Sequence, residues 1–185
     1  MKRLVPLLAA LAFALPAAAR DWHVDTAHST LGFTGTYQGE AFDGQFKRFS
    51  AQIAYDPADL AHAKFDVSID LASADTQNAE RDQMLPGADF FDVAKFPRAR
   101  FVSTAFRKAA DGTVLADGTL TLRGVNRPVT LTVKFAPAGN GAALDVSAAL
   151  KRLDFGVGGG DWADTSVIAN AVTVKSHLAL LSAGG

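Results

Sequence analysis

From residue 22 onward, apolar and polar residues alternate along most of the chain. Phe65, Val67, Ile69 and Leu71 interleave with Lys64, Asp66, Ser68 and Asp70, the period of two that marks a half-buried strand. The same period returns at Val129, Leu131, Val133 and Phe135, then at Leu144, Val146, Ala148 and Leu150, and finally at Val172, Val174 and Leu178. These runs predict eight strands, at about residues 22–37, 43–55, 63–72, 99–108, 113–122, 127–136, 142–153 and 167–181. Turn chemistry separates them: Ala110-Asp111-Gly112, the connection Arg123-Gly124-Val125-Asn126-Arg127, and Gly139-Asn140-Gly141. In the second strand, Phe42 and Phe46 share one parity while Phe49, Ala51, Ile53 and Tyr55 share the other. A bulge near Arg48 brings both sets to one face, as expected where a sheet curls to close.

One stretch departs from the strand pattern. Residues 73–85 hold a single β-branched residue, Thr76, among Ala, Gln, Glu, Arg and Met, and stop at Pro86-Gly87. A short helix is expected there, with Asp75 or Thr76 as its N-cap. Phe90-Phe91-Asp92 should follow as an irregular turn or one helical turn before Pro97. No internal repeat or linker divides the chain. Eight antiparallel strands with one polar face fit a closed barrel or a sandwich; closure removes exposed edges. An eight-stranded barrel is just wide enough to be filled by side chains or to hold one ligand.

The first residues have a different character. Lys2 and Arg3 precede an apolar run from Leu4 to Leu15, and Ala17, Ala18 and Ala19 supply the small residues of a signal-peptidase site. The run is shorter than the roughly 20 residues needed to span a bilayer. Residues 1–19 are expected to be a cleaved signal peptide and residues 20–185 one exported domain, in the periplasm. Loss of Lys2 and Arg3 takes the formal charge from −1 to −3. No basic block remains, which argues against nucleic acid as a partner. Cysteine is absent, so disulfides and thiolate chemistry are excluded. The 13 Phe outnumber the two Trp and two Tyr. Phe carries no polar group, so this supply suits a wholly apolar interior.

Candidate chemistry is sparse. His23, His28, His62 and His177 have no metal-ligand spacing, and no metal site is expected. Asp25, His28 and Ser29 have the residue types of a hydrolase triad, but adjacent strand residues point to opposite faces. No G-x-S-x-G elbow accompanies them. His28 and Asp25 are expected to tie down the chain entry by hydrogen bonds. Residues 156–160 are glycine-rich yet lack the Lys-Ser/Thr of a phosphate loop. Glu80, Asp82, Asp89 and Asp92 lie together in sequence, which does not establish the facing pair a glycosidase needs. No catalytic residue is assigned.

A series of motifs in fixed order gives a more specific indication. Trp22-His23-Val24-Asp25-Thr26-Ala27-His28-Ser29 resembles W-x-x-D-x-x-H-S, and Gly44-Gln45-Phe46 resembles G-x-F. Ile69-Asp70 with Ser73 and Thr76 resembles I-D-x-x-S-x-x-T. Asp89-Phe90-Phe91-Asp92, Phe96-Pro97 and Phe101 resemble D-F-F-D, F/Y-P and F. Residues 118–125 resemble G-x-L-T-x-x-G-V, and residues 152–156 resemble R-x-x-F-G. Together they resemble the YceI-like polyisoprenoid-binding family. Met84-Leu85 stands where many members have a His-Leu pair, and the loop from Gly156 to Trp162 is more elaborate than in many relatives. It is similar to the branch found beside b-type membrane cytochromes.

The resemblance implies an all-β fold, an eight-stranded antiparallel lipocalin-like barrel with a short helix and lid-like turn between the third and fourth strands. It implies a non-catalytic carrier or store for a polyisoprenoid or isoprenoid quinone, without a covalent cofactor. A membrane b-type cytochrome is the implied partner, and the protein is expected to be a monomer or homodimer. A second reading is a stress or interaction protein with a side-chain-filled barrel. On the first, Phe33, Phe46, Phe65, Val67, Ile69, Phe101, Leu120, Leu131 and Val133 line the bore. Met84, Leu85, Phe90 and Phe91 form the lid, and Trp162 covers the mouth or packs beside it.

Overall fold

The computed structural model describes residues 19–183; the expected signal peptide therefore lies, but for Ala19, outside the described residues. Strands β1 (Asp21–Tyr37), β2 (Glu40–Phe46), β3 (Phe49–Ala54), β4 (Lys64–Asp70) and β5 (Ala74–Asp75) precede the helix α1 (Ala79–Met84). Then come β6 (Arg98–Lys108), β7 (Val114–Leu122), β8 (Val125–Ala138), β9 (Gly141–Lys151) and β10 (Ala171–Ser182). Neighbours pair antiparallel in the order β10-β9-β8-β7-β6-β4-β3-β1-β2-β5, and β10 also pairs with β1, which closes the sheet. β2 and β3 form one bent stave and β5 is a two-residue addition, so the closed barrel has eight staves, as expected.

The bend in that stave sits at Lys47 and Arg48, where a bulge was expected. The start of β1 pairs with β3, and its second half, Gly32 to Tyr37, pairs with β2. Ser73 fixes the break: its carbonyl accepts from Lys47 N (3.1 Å) and its hydroxyl oxygen from Arg48 N (3.0 Å). A second bulge interrupts β1 against β10 between Asp25 and Thr30. The Asp25 carboxylate accepts from Ala27 N (3.1 Å) and bonds His28 Nδ1 (2.8 Å). The Ser29 hydroxyl donates to Asp25 O (2.6 Å) and accepts from Ala179 N (2.9 Å). The Asp-His-Ser group is thus a stapled bulge, the tie-down expected from its position.

The helix is shorter and starts later than expected. Asn78, rather than Asp75 or Thr76, is the N-cap, its side chain accepting from Arg81 N. Asp75 belongs to β5 instead, and the Thr76 hydroxyl donates to Asp82 Oδ1 (2.7 Å). The β7–β8 turn is also tighter than the five-residue connection expected. Leu122 pairs with Val125, and Arg123 and Gly124 alone make the turn, both at positive φ (53° and 72°), the two-residue hairpin geometry that matches strand twist. The final strand starts at Ala171 rather than near residue 167, because the segment before it is bonded to the barrel rim. There Gln38 N donates to Val167 O (2.7 Å) and Ala169 N to Thr36 O (3.0 Å).

The two barrel ends differ. One is filled by aromatic rings: Tyr55 lies 5.9 Å from Phe65, 6.0 Å from Phe106 and 5.2 Å from Phe135, and Trp22 lies 5.5 Å from Phe135. Trp22 Nε1 donates to the Tyr55 carbonyl (2.8 Å), so the indole is buried with its one donor satisfied. The other end is capped by residues 85–97 and 152–170, held by two arginines. Arg152, 6% exposed, gives Nε to Ala169 O (3.1 Å), Nη1 to Val157 O (3.0 Å) and Gly158 O, and Nη2 to Trp162 O (2.9 Å) and Ile168 O (2.8 Å). Burial lowers its pKa, but an arginine stays charged at physiological pH. Arg123 donates to the carbonyls of Ala88 (2.7 Å), Asp89 and Gly156, and Gly158 N donates to Asp89 O (2.7 Å). The two cap segments are joined to each other and to the β7–β8 turn.

Two outcomes follow for stability. Replacing Arg152 by Met leaves five carbonyls without their shared donor, and urea unfolding should show a loss of about 3 kcal/mol or more. Arg152→Lys should recover only part, because an ammonium has fewer donors and no planar fork. The acid response follows from the carboxylates. Hydrogen bonds from Arg100, Arg48 and Arg107 hold Asp66, Asp70 and Asp117 below their ordinary pKa. A lowered folded pKa contributes stability that is present above the unfolded value and is lost as pH falls through the folded one. Thermal melts should therefore be level near neutrality and fall below about pH 4. Asp66→Asn should flatten that fall, and an unchanged acid slope in the variant would refute the assignment.

Candidate functional site

Between the aromatic plug and the cap lies a cavity of about 220 Å³. Its wall is aliphatic and aromatic except for Thr36, Ser147, Ser176 and Arg152, the last contributing at the cap end. The space exceeds the dry apolar cavity of about 150 Å³ that admits benzene in another protein. It is below the roughly 300–1,000 Å³ usual for ligand clefts. Along one side the rings form a chain: Phe33 lies 6.4 Å from Phe42 and 5.3 Å from Phe46, and Phe46 lies 6.0 Å from Phe91 in the cap. The bends in β2 and β3 produce this wall, since Phe42, Phe46 and Phe49 all face the cavity despite their opposed parities.

Glycines keep the rings against the wall. Phe33 pairs across the ladder with Gly44, and a Cβ on Gly44 would collide with the Phe33 ring. A Cβ on Gly118, which pairs with Ser103, would likewise collide with the Phe101 ring, and also with the Val102 carbonyl. A side chain at either position would push a ring into the bore.

All the sequence-derived bore and lid residues except Met84, Val133 and Trp162 lie on the wall of this one cavity. Met84 is 37% exposed; α1 is too short to bury a face, and Leu85 at its C-terminus takes the inward position instead. Val133 is inward and 3% exposed, but it packs in the core without reaching the cavity. Trp162 does not reach it either. Its ring lies 5.7 Å from that of Phe90, backing the lid from outside. Leu85, Phe90 and Phe91 are 7–8% exposed and close the cap end.

Several residues that shape the site were not singled out from sequence. Leu144, Val146 and Leu150 line the cavity, and their period-two alternation was their signal. Phe155 lines it from the cap, and Arg152 anchors that cap. Both stand in the R-x-x-F-G motif, whose function the local pattern does not disclose. Three of the histidines pair with aspartates instead of gathering: His28 with Asp25, His62 with Asp59 and His177 with Asp145. Among the described residues no group of three or more His, Cys, Asp or Glu is placed to hold a metal ion. The Ser29 hydroxyl is committed to backbone partners. The chemistry this wall offers is removal of apolar surface from water.

Comparison with known proteins bears on this arrangement. Residues 22–180 match the family model of the YceI-like domain. A UPF0312 protein of Vibrio parahaemolyticus is 38% identical over 136 residues, covering 71% of this chain and 72% of that one. A UPF0312 protein of Vibrio cholerae is 33% identical over 162 residues, covering 83% and 86%. The crystal structure of BcnA from Burkholderia cenocepacia superimposes with a TM-score of 0.81 at 36% identity, covering 85% of this chain and 99% of that one. A polyisoprenoid binding domain from Saccharophagus degradans, at 18% identity, shares the fold with a TM-score of 0.67 over 89% of this chain and 99% of its own. With the motifs in order, the barrel closed and a family match spanning nearly all of it, this chain belongs to the YceI-like domain family.

Proposed function

We propose that this protein is an exported lipid-binding barrel that holds a polyisoprenoid or the tail of an isoprenoid quinone in its bore, as carrier or store, without catalysis. The apolar cavity between plug and cap is the observation that carries this reading. A barrel filled by its own side chains would leave no such space, so the cavity favours binding over the filled-barrel alternative. Burying a prenyl chain gains about 25 cal/mol per Å² of surface removed from water. A bilayer offers nearly the same gain, so a useful carrier needs a dry wall with few polar groups, as here. The polyisoprenoid-binding description of the Saccharophagus relative supports the ligand class. Association with a quinone-handling membrane b-type cytochrome, implied by residues 161–165, completes the proposal.

Organic extraction of protein purified from its native compartment should yield an isoprenoid lipid by mass spectrometry. The Ile69→Trp variant, with an indole in the cavity wall, should fold and melt close to delipidated wild type while yielding no lipid. Overpacking a filled core would instead lower stability by about 1–3 kcal/mol. A strongly destabilised variant beside a wild type that carries no lipid would end the carrier reading. Export is tested separately: N-terminal sequencing of the secreted protein should begin at Arg20, and a Met1 terminus would exclude cleavage.

A further inference from the structure

The barrel wall has a gap. β8 pairs with β9 from Ala138 and Gly141 only as far as Thr132 and Ser147. Beyond that point residues 128–131 and 148–151 have no ladder partner across the seam. Both strands remain paired on their other sides, β8 to β7 and β9 to β10. Pro128 brings no N–H to this edge. The seam closes again where Arg127 Nε donates to Asp154 O (3.2 Å). An outer crevice lies along it, and Val129, Ser147, Ala148, Leu150 and Phe155 line both this crevice and the bore. The two spaces are thus separated by a single layer of side chains.

Two other routes into the bore, at its ends, are filled or held shut. The plug end is filled by Tyr55 and Phe65, each 1% exposed. The cap end is held by the bonds of Arg152 and Arg123 described above. The ladder between β1 and β3 is interrupted as well; there Val24, Leu31 and Ile53 are 8%, 7% and 3% exposed, while Phe46 and Phe49 are half-buried. At the β8–β9 seam the inward residues Val129, Leu131 and Leu150 are half-buried and an outer crevice shares their lining, which is what sets this seam apart. The cavity is also too small for a long prenyl chain to lie wholly inside it with the wall as it stands.

We propose that the β8–β9 seam is a lateral portal, through which a prenyl chain enters and leaves the bore and beside which its polar end rests. The portal rests on the lipid-binding reading. Thr132, Ser147 and the unpaired strand edges offer hydrogen bonds to a hydroxyl or carbonyl head, with Arg127 and Lys151 at the rim.

The absence of cysteine allows a clean test. Thr130→Cys with Ala149→Cys places two exposed thiols across the seam, opposite each other if the register of Thr132 and Ser147 is extended. A short bismaleimide with a cleavable disulfide then pins it shut. Lys134→Cys with Asp145→Cys, across a stretch already paired, is the control. Delipidated proteins are mixed with radiolabelled geranylgeraniol in liposomes, and bound label is counted after separation. Uptake by the pinned seam should slow on the order of tenfold relative to its unlinked form, as for a blocked gating step, and recover on reduction. The control pair should change little. If the double variant does not fold, Leu150→Trp, which fills the seam from one strand, should slow uptake in the same way. Unaltered uptake through a pinned or filled seam would overturn the portal and leave the binding reading intact. No uptake by the unlinked wild type would overturn both.

Discussion

A single buried guanidinium holds the open end of this barrel together. Arg152 has only backbone carbonyls as partners among the described residues, drawn from both sides of the cap segment. A buried charge is tolerated only when its hydrogen-bonding capacity is met, and the fivefold donor fork of arginine meets that condition with no carboxylate. The same carbonyls belong to glycine-rich and irregular backbone that could not satisfy itself in a ladder. Cation and loop therefore need each other. The position of Phe155, Val157 and the tilted Trp162–Phe90 contact follows from that mutual requirement, and with it the cap end of the cavity.

The sequence made the strands legible because half-buried strands impose a strict period of two, and nothing else in the chain imitates it. It located the bend in the second stave, since two phenylalanine parities on one strand demand an extra residue. The helix start was misread. Asp75, Thr76 and Asn78 are all good capping residues, and only tertiary pairing of Asp75 with Gln45 decides among them. Most bore residues follow from parity. Val133 does not, because parity tells which side a residue faces but not how far along the axis the space ends. Arg152 was seen as a motif letter and not as an anchor, since its partners come from segments remote from its own strand. The β8–β9 seam has no sequence signature apart from Pro128: strand propensity persists through residues that the ladder leaves unpaired.

The architecture separates two tasks that usually compete. Stability resides in the aromatic plug, the ladders and the two arginine staples, none of which needs the central space to be filled. That freedom lets the middle of the barrel remain hollow without disulfides, in a chain of ordinary length. It also accounts for the polar surface being simple: exposed ion pairs such as Arg100–Asp66 decorate the outside, while the inside is left to dispersion and hydration.

Gly44 and Gly118 set how much of that inside is empty. Each lies under a phenylalanine ring that a methyl group would displace inward. The capacity of the barrel is therefore written in two positions that touch no guest and contribute no side chain. A lineage could trade part of that hollow for packed rings by a single-base change at a glycine codon, with the strand pattern and outer surface preserved and only one motif letter altered. The missing glycine in G-x-F or in G-x-L-T-x-x-G-V would then be the one mark in the sequence that interior space had been lost.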